Sequence, residues 1–436
     1  MLRAGAASIV ITNELGTVIQ GATVGGTAKF IRDELEANAL YLNDGAEQAV
    51  LFVSCDLGGI EPDANLSMRE SIAESVGVDA RQVIIGATHT GGPSVIPSNY
   101  LKPVDHKYLK VLQDKLVSLA QEAVGKAQDA QLGWARGRAA LGYNRRCCWA
   151  DGSHSMGGSK GWAHFCGNEG PEDPEQLALF LADKSGKLLA VLHQNTSHPC
   201  TFYGVDFYSA DYPGYARKIL REALGDLPVL FFNGAFGDIG QSRMPPANRH
   251  ETRETVLRRC GALLAGETLR LLHETSFVKD ARLRHSWSDL EADVRLPSAE
   301  RLAWAADILQ KVDAGEKVAP FDIVFAHGAS LLQERFGEHP REKLPIHVVR
   351  IGEATLVTQP TELFCQFGLD IKRRSPYALT AVFSICDGYR GYCPTYGAAV
   401  SGGYSGTPIY WTRFTPETGY RIVDEACRLL HELTQE

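Results

Sequence analysis

FFNGAFGDIGQ, residues 231–241, follows the apolar run 227–230 and holds three glycines, two amides and one acid. An apolar run that ends this way reads as a buried strand giving way to a loop. In open α/β sheets, ligands gather where strands end and loops begin. The stretch is therefore either an ordinary turn or a place where backbone comes close to a substrate. Three other polar clusters stand at comparable strand ends: THTGGP at 88–93, NTSHPCTF at 195–202 and DGYRGYCPT at 387–395.

Working outward, 49–54 (AVLFVS), 83–87 and 229–232 read as buried strands. Helical spacing of apolar residues predicts helices over 67–76, 105–127, 210–224 with Gly225 as cap, 251–274, 302–312, 362–374 and 416–433. Residues 177–182 and 188–192 flank DKSGK, and 347–351 and 355–358 flank GE, so each pair reads as a hairpin. Strand-then-helix order broken by hairpins predicts an α/β fold with a mixed β-sheet core flanked by helices. The length would allow two or three domains, but no linker or repeat divides the chain. A single domain over 1–436 is expected.

The net charge is −8, from 44 basic and 52 acidic residues, with no basic tract. Nucleic acid is not an expected partner. The opening MLRAGAASIVITN reaches β-branched residues at once and has no signal-peptide pattern. No apolar run approaches the ~18 residues of a membrane span. Ten cysteines are scattered without a CxxC pair, which fits reduced thiols and a cytoplasmic protein. A small-molecule substrate, no membrane insertion and possible homo-oligomerisation are expected.

His89 and His198 each follow a strand and precede proline or glycine-proline segments. Such a histidine is a metal ligand, a general base or a satisfied structural residue. Glu362, in QPTELF, is either a first-turn helix acid or a rigidly held ligand, and Tyr392, in GYCPT, is either a buried phenol or a site residue. No HExxH-type pair is present, so spacing alone defines no metal site. No serine has a GxSxG setting, and Cys200 is the best thiol candidate without being a dyad.

The clusters, in this order, resemble the catalytic domain of the neutral/alkaline ceramidase family over nearly the whole chain. GAASIVITNELG, IRDELEANALYL and FVSCDLGG resemble its opening blocks, ATHTGGP its THTHSGP, and GYNRR (142–146) its asparagine–arginine block. The hairpin ending in NTSHPCTF, the SADYPGYARKIL helix with FFNGAFGDIG, and TQPTELF and DGYRGYCPT follow in the family's order. Tyr404, in GGY, stands twelve residues after Tyr392, as in that pattern. The resemblance implies a zinc ion held by His89, His198, Glu362 and Tyr392, with Arg145 near the substrate oxygens and Tyr404 lining the site. Asn144 and Gly237 are expected at the substrate, and Asp238 is the nearest acid/base candidate in the 234–238 loop, or else a structural turn residue.

This chain departs from the family at two positions in those blocks. One histidine stands in the first block where the family has two, and His89 aligns with either. GDIGQ puts Gly240 where the family has a serine in a GDVSPN-like segment. The family's C-terminal β-domain is also expected to be absent. The expected function is a zinc-dependent hydrolase cleaving an amide or related bond of a small polar substrate. Arg145 and backbone N–H groups of the 234–238 loop would stabilise the oxyanion. The alternatives are a zinc-dependent lyase, isomerase or sugar-directed enzyme, and a non-catalytic binding protein.

Overall fold

The computed structural model describes residues 1–19, 26–45, 48–93, 104–157, 160–246 and 251–434. The fold is mixed α/β, and among these residues it is built on two stacked sheets. The larger has nine strands in the order Val229–Asn233, Leu188–Asn195, Glu175–Asp183, Gln128–Arg138, Arg3–Val10, Glu36–Asn43, Ala49–Cys55 and Val83–Ala87, with Phe277–Val278 added beside Gln128–Arg138. The smaller runs Leu283–Asp293, Arg341–Ile351, Ala354–Thr358, Leu379–Phe383. Parallel pairs sit at the ends: Leu188–Asn195 with Val229–Asn233, Ala49–Cys55 with Val83–Ala87, and Ala354–Thr358 with Leu379–Phe383. The other pairings within the two sheets are antiparallel.

Strands buried on both faces carry unbroken apolar runs, as in AVLFVSC at Ala49–Cys55, where every residue is buried. One face of the large sheet supplies Val53 and Ile85 to a core shared with Ile72, Leu112 and Leu116 of helices Pro62–Val76 and His106–Gly125. The other face supplies Phe52, Ile84 and Phe232 to a core shared with Val349, Leu356 and Phe383 of the small sheet. The Phe232 and Phe383 rings stack there with centroids 4.6 Å apart. Helices Cys365–Arg374 and Thr418–Glu432 cover the far side of the small sheet.

Sequence patterning predicts one mixed sheet, and the molecule has two packed face to face. The segment Leu283–Asp293 explains the difference. Its residues are nearly all half-exposed or exposed and alternate too weakly to read as a strand, yet it pairs with Arg341–Ile351 along its whole length. Glu362 is also placed differently. It lies in a two-residue strand, Glu362–Leu363, and the helix begins only at Cys365. Its N–H is spent on the Gly391 carbonyl at 2.8 Å, because the segment pairs in parallel with Tyr392–Cys393.

Candidate metal centre

Chain segments that are far apart in sequence converge at the ends of these strands. His89 stands just past Val83–Ala87, and His198 just past Leu188–Asn195. Parallel pairing sets Glu362 directly beside Tyr392. The loop after Val229–Asn233 holds them together. His198 Nδ1 donates to the carbonyls of Phe236 at 2.8 Å and Ile239 at 2.9 Å. The Phe236 ring packs against both imidazoles, with centroids 4.4 Å from His198 and 5.2 Å from His89. Gly237 N–H donates to Leu363 O at 2.8 Å, and a Cβ at Gly237 would stand 2.3 Å from the Glu362 carbonyl oxygen. Only glycine permits that approach.

His89 Nδ1 donates to the carbonyl of Gly58. Both imidazoles therefore turn Nε2 inward, and both Nε2 atoms face one carboxylate oxygen. Glu362 Oε2 is 2.8 Å from His198 Nε2 and 3.5 Å from His89 Nε2. Burial, then Arg145, pushes His198 down to about 3, so it is neutral and Nε2 carries a lone pair. Burial works against a charge on Glu362, yet the two imidazoles beside it hold its carboxyl well below the usual range. Two imidazole Nε2 atoms thus converge on one oxygen of an ionised carboxylate, an arrangement that a metal cation between them would satisfy. Nδ1 bound to backbone carbonyl and Nε2 turned inward is the orientation of metal-ligating histidine. The three ligand atoms lie within 4.8 Å of one another. The nitrogen and oxygen donors suit zinc. The Tyr392 hydroxyl, 3.4 Å from His198 Nε2, offers a fourth ligand atom; burial, then Glu362, raises its pKa well above the ordinary phenol value.

Arg145 Nη2 donates to His198 Nε2 at 2.9 Å, Tyr392 OH at 3.0 Å and Gly237 O at 3.1 Å. Burial opposes its charge, but Tyr392, Cys200 and Glu362 raise its pKa. Tyr404 packs its ring against Tyr392, centroids 5.9 Å apart, and both line a cavity of about 430 Å³ that opens from the centre. The cavity walls are largely apolar and aromatic, with Phe202, Phe207, Phe321 and Met156 among them.

Asn144 and Asp238 are not among the residues lining this cavity. Asn144 Nδ2 donates to Asp238 Oδ2 at 2.8 Å, and Cys365 N–H donates to Asp238 Oδ1 at 2.8 Å. Burial raises Asp238 to about 6. Its backbone carbonyl accepts from Arg145 N–H at 2.8 Å, so it fixes the arginine from behind. Two of the loop N–H groups expected to serve an oxyanion are spent elsewhere, Gly234 on Asn195 O and Gly237 on Leu363 O. The loop shows the centre its carbonyls, because it must hold His198 and Arg145. Tyr389 carried no signal beyond a second tyrosine three residues before Tyr392, yet its hydroxyl donates to Glu362 Oε1 at 2.6 Å.

Two solved structures share this architecture. A neutral ceramidase from Pseudomonas aeruginosa matches with a TM-score of 0.76 over 100% of this chain and 74% of its own, at 16% identity. A ceramidase complexed with C2 matches with a TM-score of 0.76 at 16% identity, over 100% of this chain and 75% of its own. The chain has a ceramidase-like fold. No known family profile and no curated protein matches its sequence.

In this ceramidase-like fold, Gly240 lies in the short strand Ile239–Gly240, paired with Tyr143–Asn144. A Cβ there would stand 3.2 Å from Arg145 Cδ, so the arginine stem fills the space beside it. The nearby Cys200 thiol is pushed up to about 11 by burial and is protonated at neutral pH. Among the described residues, no helix is long and apolar enough to cross a membrane.

Proposed function

We propose that this chain is a zinc-dependent hydrolase that cleaves an amide or related bond in a small substrate, with water as the nucleophile. One observation supports the reading: two imidazoles, each anchored through Nδ1 to a backbone carbonyl, aim Nε2 at one carboxylate oxygen. His89, His198 and Glu362 hold the ion, with Tyr392 completing the set. Zinc bound there supplies an acidified water and a Lewis acid for the scissile carbonyl.

The chain's own groups do the rest. Arg145 is a fixed, half-buried charge beside Tyr392 and His198, placed to stabilise an oxygen on which negative charge develops. Asp238 and Asn144 position Arg145 and the loop. Water serves as the nucleophile in this reading: Gly240 offers no side chain, and burial pushes the Cys200 thiol up to about 11. The cavity volume of about 430 Å³ suits a small molecule. Its apolar walls favour a substrate whose polar scissile group carries an apolar body, so the "small polar substrate" expected from sequence is narrowed at one end.

The test is zinc analysis of protein purified without added metal, followed by assays on N-acyl amides of graded acyl length. About one zinc per chain is expected, with turnover lost to a chelator and regained with zinc. Folded protein carrying only traces of zinc overturns the reading.

A further inference from the structure

The turn joining Leu379–Phe383 to Tyr392–Cys393 holds two non-glycine residues in left-handed conformation, Ile385 at φ 56° and Asp387 at φ 60°. A β-branched residue there is a genuine outlier. Such strain persists only where the surroundings over-determine it. Here they do. Ala87 N–H donates to Ile385 O at 3.2 Å, and Asp387 N–H donates to Ile85 O at 2.8 Å. Ile85 N–H returns a bond to Asp387 Oδ1 at 3.0 Å. Tyr389 N–H donates to Ile60 O at 2.8 Å and Arg390 N–H to Pro360 O at 3.0 Å. The turn is thus clamped on one side to the strand that delivers His89 and on the other to the segment that delivers Glu362.

Asp387 is 3% exposed, and its Oδ2 stands 3.1 Å from His347 Nε2. His347 Nδ1 in turn lies 2.9 Å from His285 Nε2, within hydrogen-bond distance, and Arg69 Nε lies 3.5 Å from Asp387 Oδ1. Two residues on, Tyr389 is 6% exposed, stacks its ring over His89 at 6.1 Å and donates its hydroxyl to Glu362 Oε1. That bond leaves Oε2 alone to face the two imidazoles and fixes the carboxylate plane. Outer partners of this kind orient a ligand and tune its affinity for metal.

We infer that Tyr389 is a positioning residue for Glu362, and that the buried His347–Asp387 pair braces it through the strained turn. The inference rests on the zinc reading of the site. Its test is the zinc dissociation constant, by competition with a chromophoric chelator, and the visible spectrum of the cobalt-loaded protein. Tyr389→Phe keeps shape and ring contacts and removes one hydroxyl. Zinc binding should weaken about 10- to 100-fold, with a changed cobalt spectrum and an unchanged Tm. His347→Leu should weaken binding by a smaller factor, and His347→Gln, which keeps a donor for Asp387, should restore it. If His347→Leu does not fold, Asp387→Asn gives the same readout. Wild-type zinc affinity in Tyr389→Phe overturns the positioning role and leaves the zinc reading standing. A folded brace variant with wild-type affinity overturns the brace. Wild-type protein that binds no zinc overturns both readings together.

Discussion

Two clusters of histidine and carboxylate lie inside this molecule, and they are wired differently. At the candidate metal centre, His89 and His198 both aim Nε2 at one oxygen of Glu362. In the other cluster His285, His347 and Asp387 stand in series, each Nε2 facing the next acceptor along. In the series the contacts run end to end, with a separate partner for each Nε2. In the convergent pair both Nδ1–H groups are spent on carbonyls and both Nε2 atoms share one oxygen. Residue types and burial are similar in the two places, so the direction of the donors, not the composition, separates a ligand set from a structural relay.

The comparison breaks most plainly at the carboxylates. Glu362→Gln should lower zinc affinity by at least about 100-fold, beyond the range of outer-partner substitutions. Its zinc-free form should also lose stability, because the folded protein holds the Glu362 carboxyl well below the usual range and that contribution goes with the charge. Asp387→Ala should lower zinc affinity by a smaller factor and cost about 3–5 kcal/mol of stability by stranding His347 and Arg69. Zinc competition and urea unfolding of the chelator-treated proteins check both; equal losses of zinc affinity in the two variants would erase the distinction. Gly237→Ala is next. Its Cβ would stand 2.3 Å from the Glu362 carbonyl oxygen, and forced repacking of that kind costs about 1–3 kcal/mol, read in the same titration together with weakened zinc binding.

A pH titration sharpens the comparison on the serial side. Burial, then His347, lowers His285 from 6.5 to about 3. The unfolded chain therefore takes up a proton that the folded chain refuses. This stability is full above pH 6.5 and is lost as pH falls from 6.5 toward 3. His285→Asn should flatten the stability profile in that window by up to about one proton. The smallest effect is expected at Gly240→Ser, whose Cβ would touch Arg145 Cδ at 3.2 Å. Stability should change by about 1 kcal/mol or less. Zinc affinity should hold, and kcat/KM should fall severalfold as Arg145 shifts.

The ligand set is legible in the sequence only through the order of the motifs. His89, His198, Glu362 and Tyr392 come from four separate segments, so no local spacing encodes them. The strands and helices that carry strong apolar periodicity, such as Val83–Ala87 and Arg253–Glu274, are where patterning places them to within a few residues. The second sheet is hidden because Leu283–Asp293 is nearly all half-exposed or exposed and interleaves polar residues. Loop composition marks 233–240 as special but does not reveal that its carbonyls hold His198 and Arg145, since backbone direction follows from tertiary clamps. Tyr389 is invisible for the same reason: its contact with Glu362 exists only once a strained turn has closed.

The parallel pairing of Glu362 with Tyr392 has a consequence for how the protein is made. A chain emerging from the ribosome presents His89 and His198 long before the two residues that complete the set. Until the segment around Tyr392 has emerged and docked beside Glu362, the imidazoles have only weak, partial company for a cation. On the metal reading of the site, an ion would be held by the full set only once Tyr392 has docked beside Glu362, and would then add its binding energy to the fold.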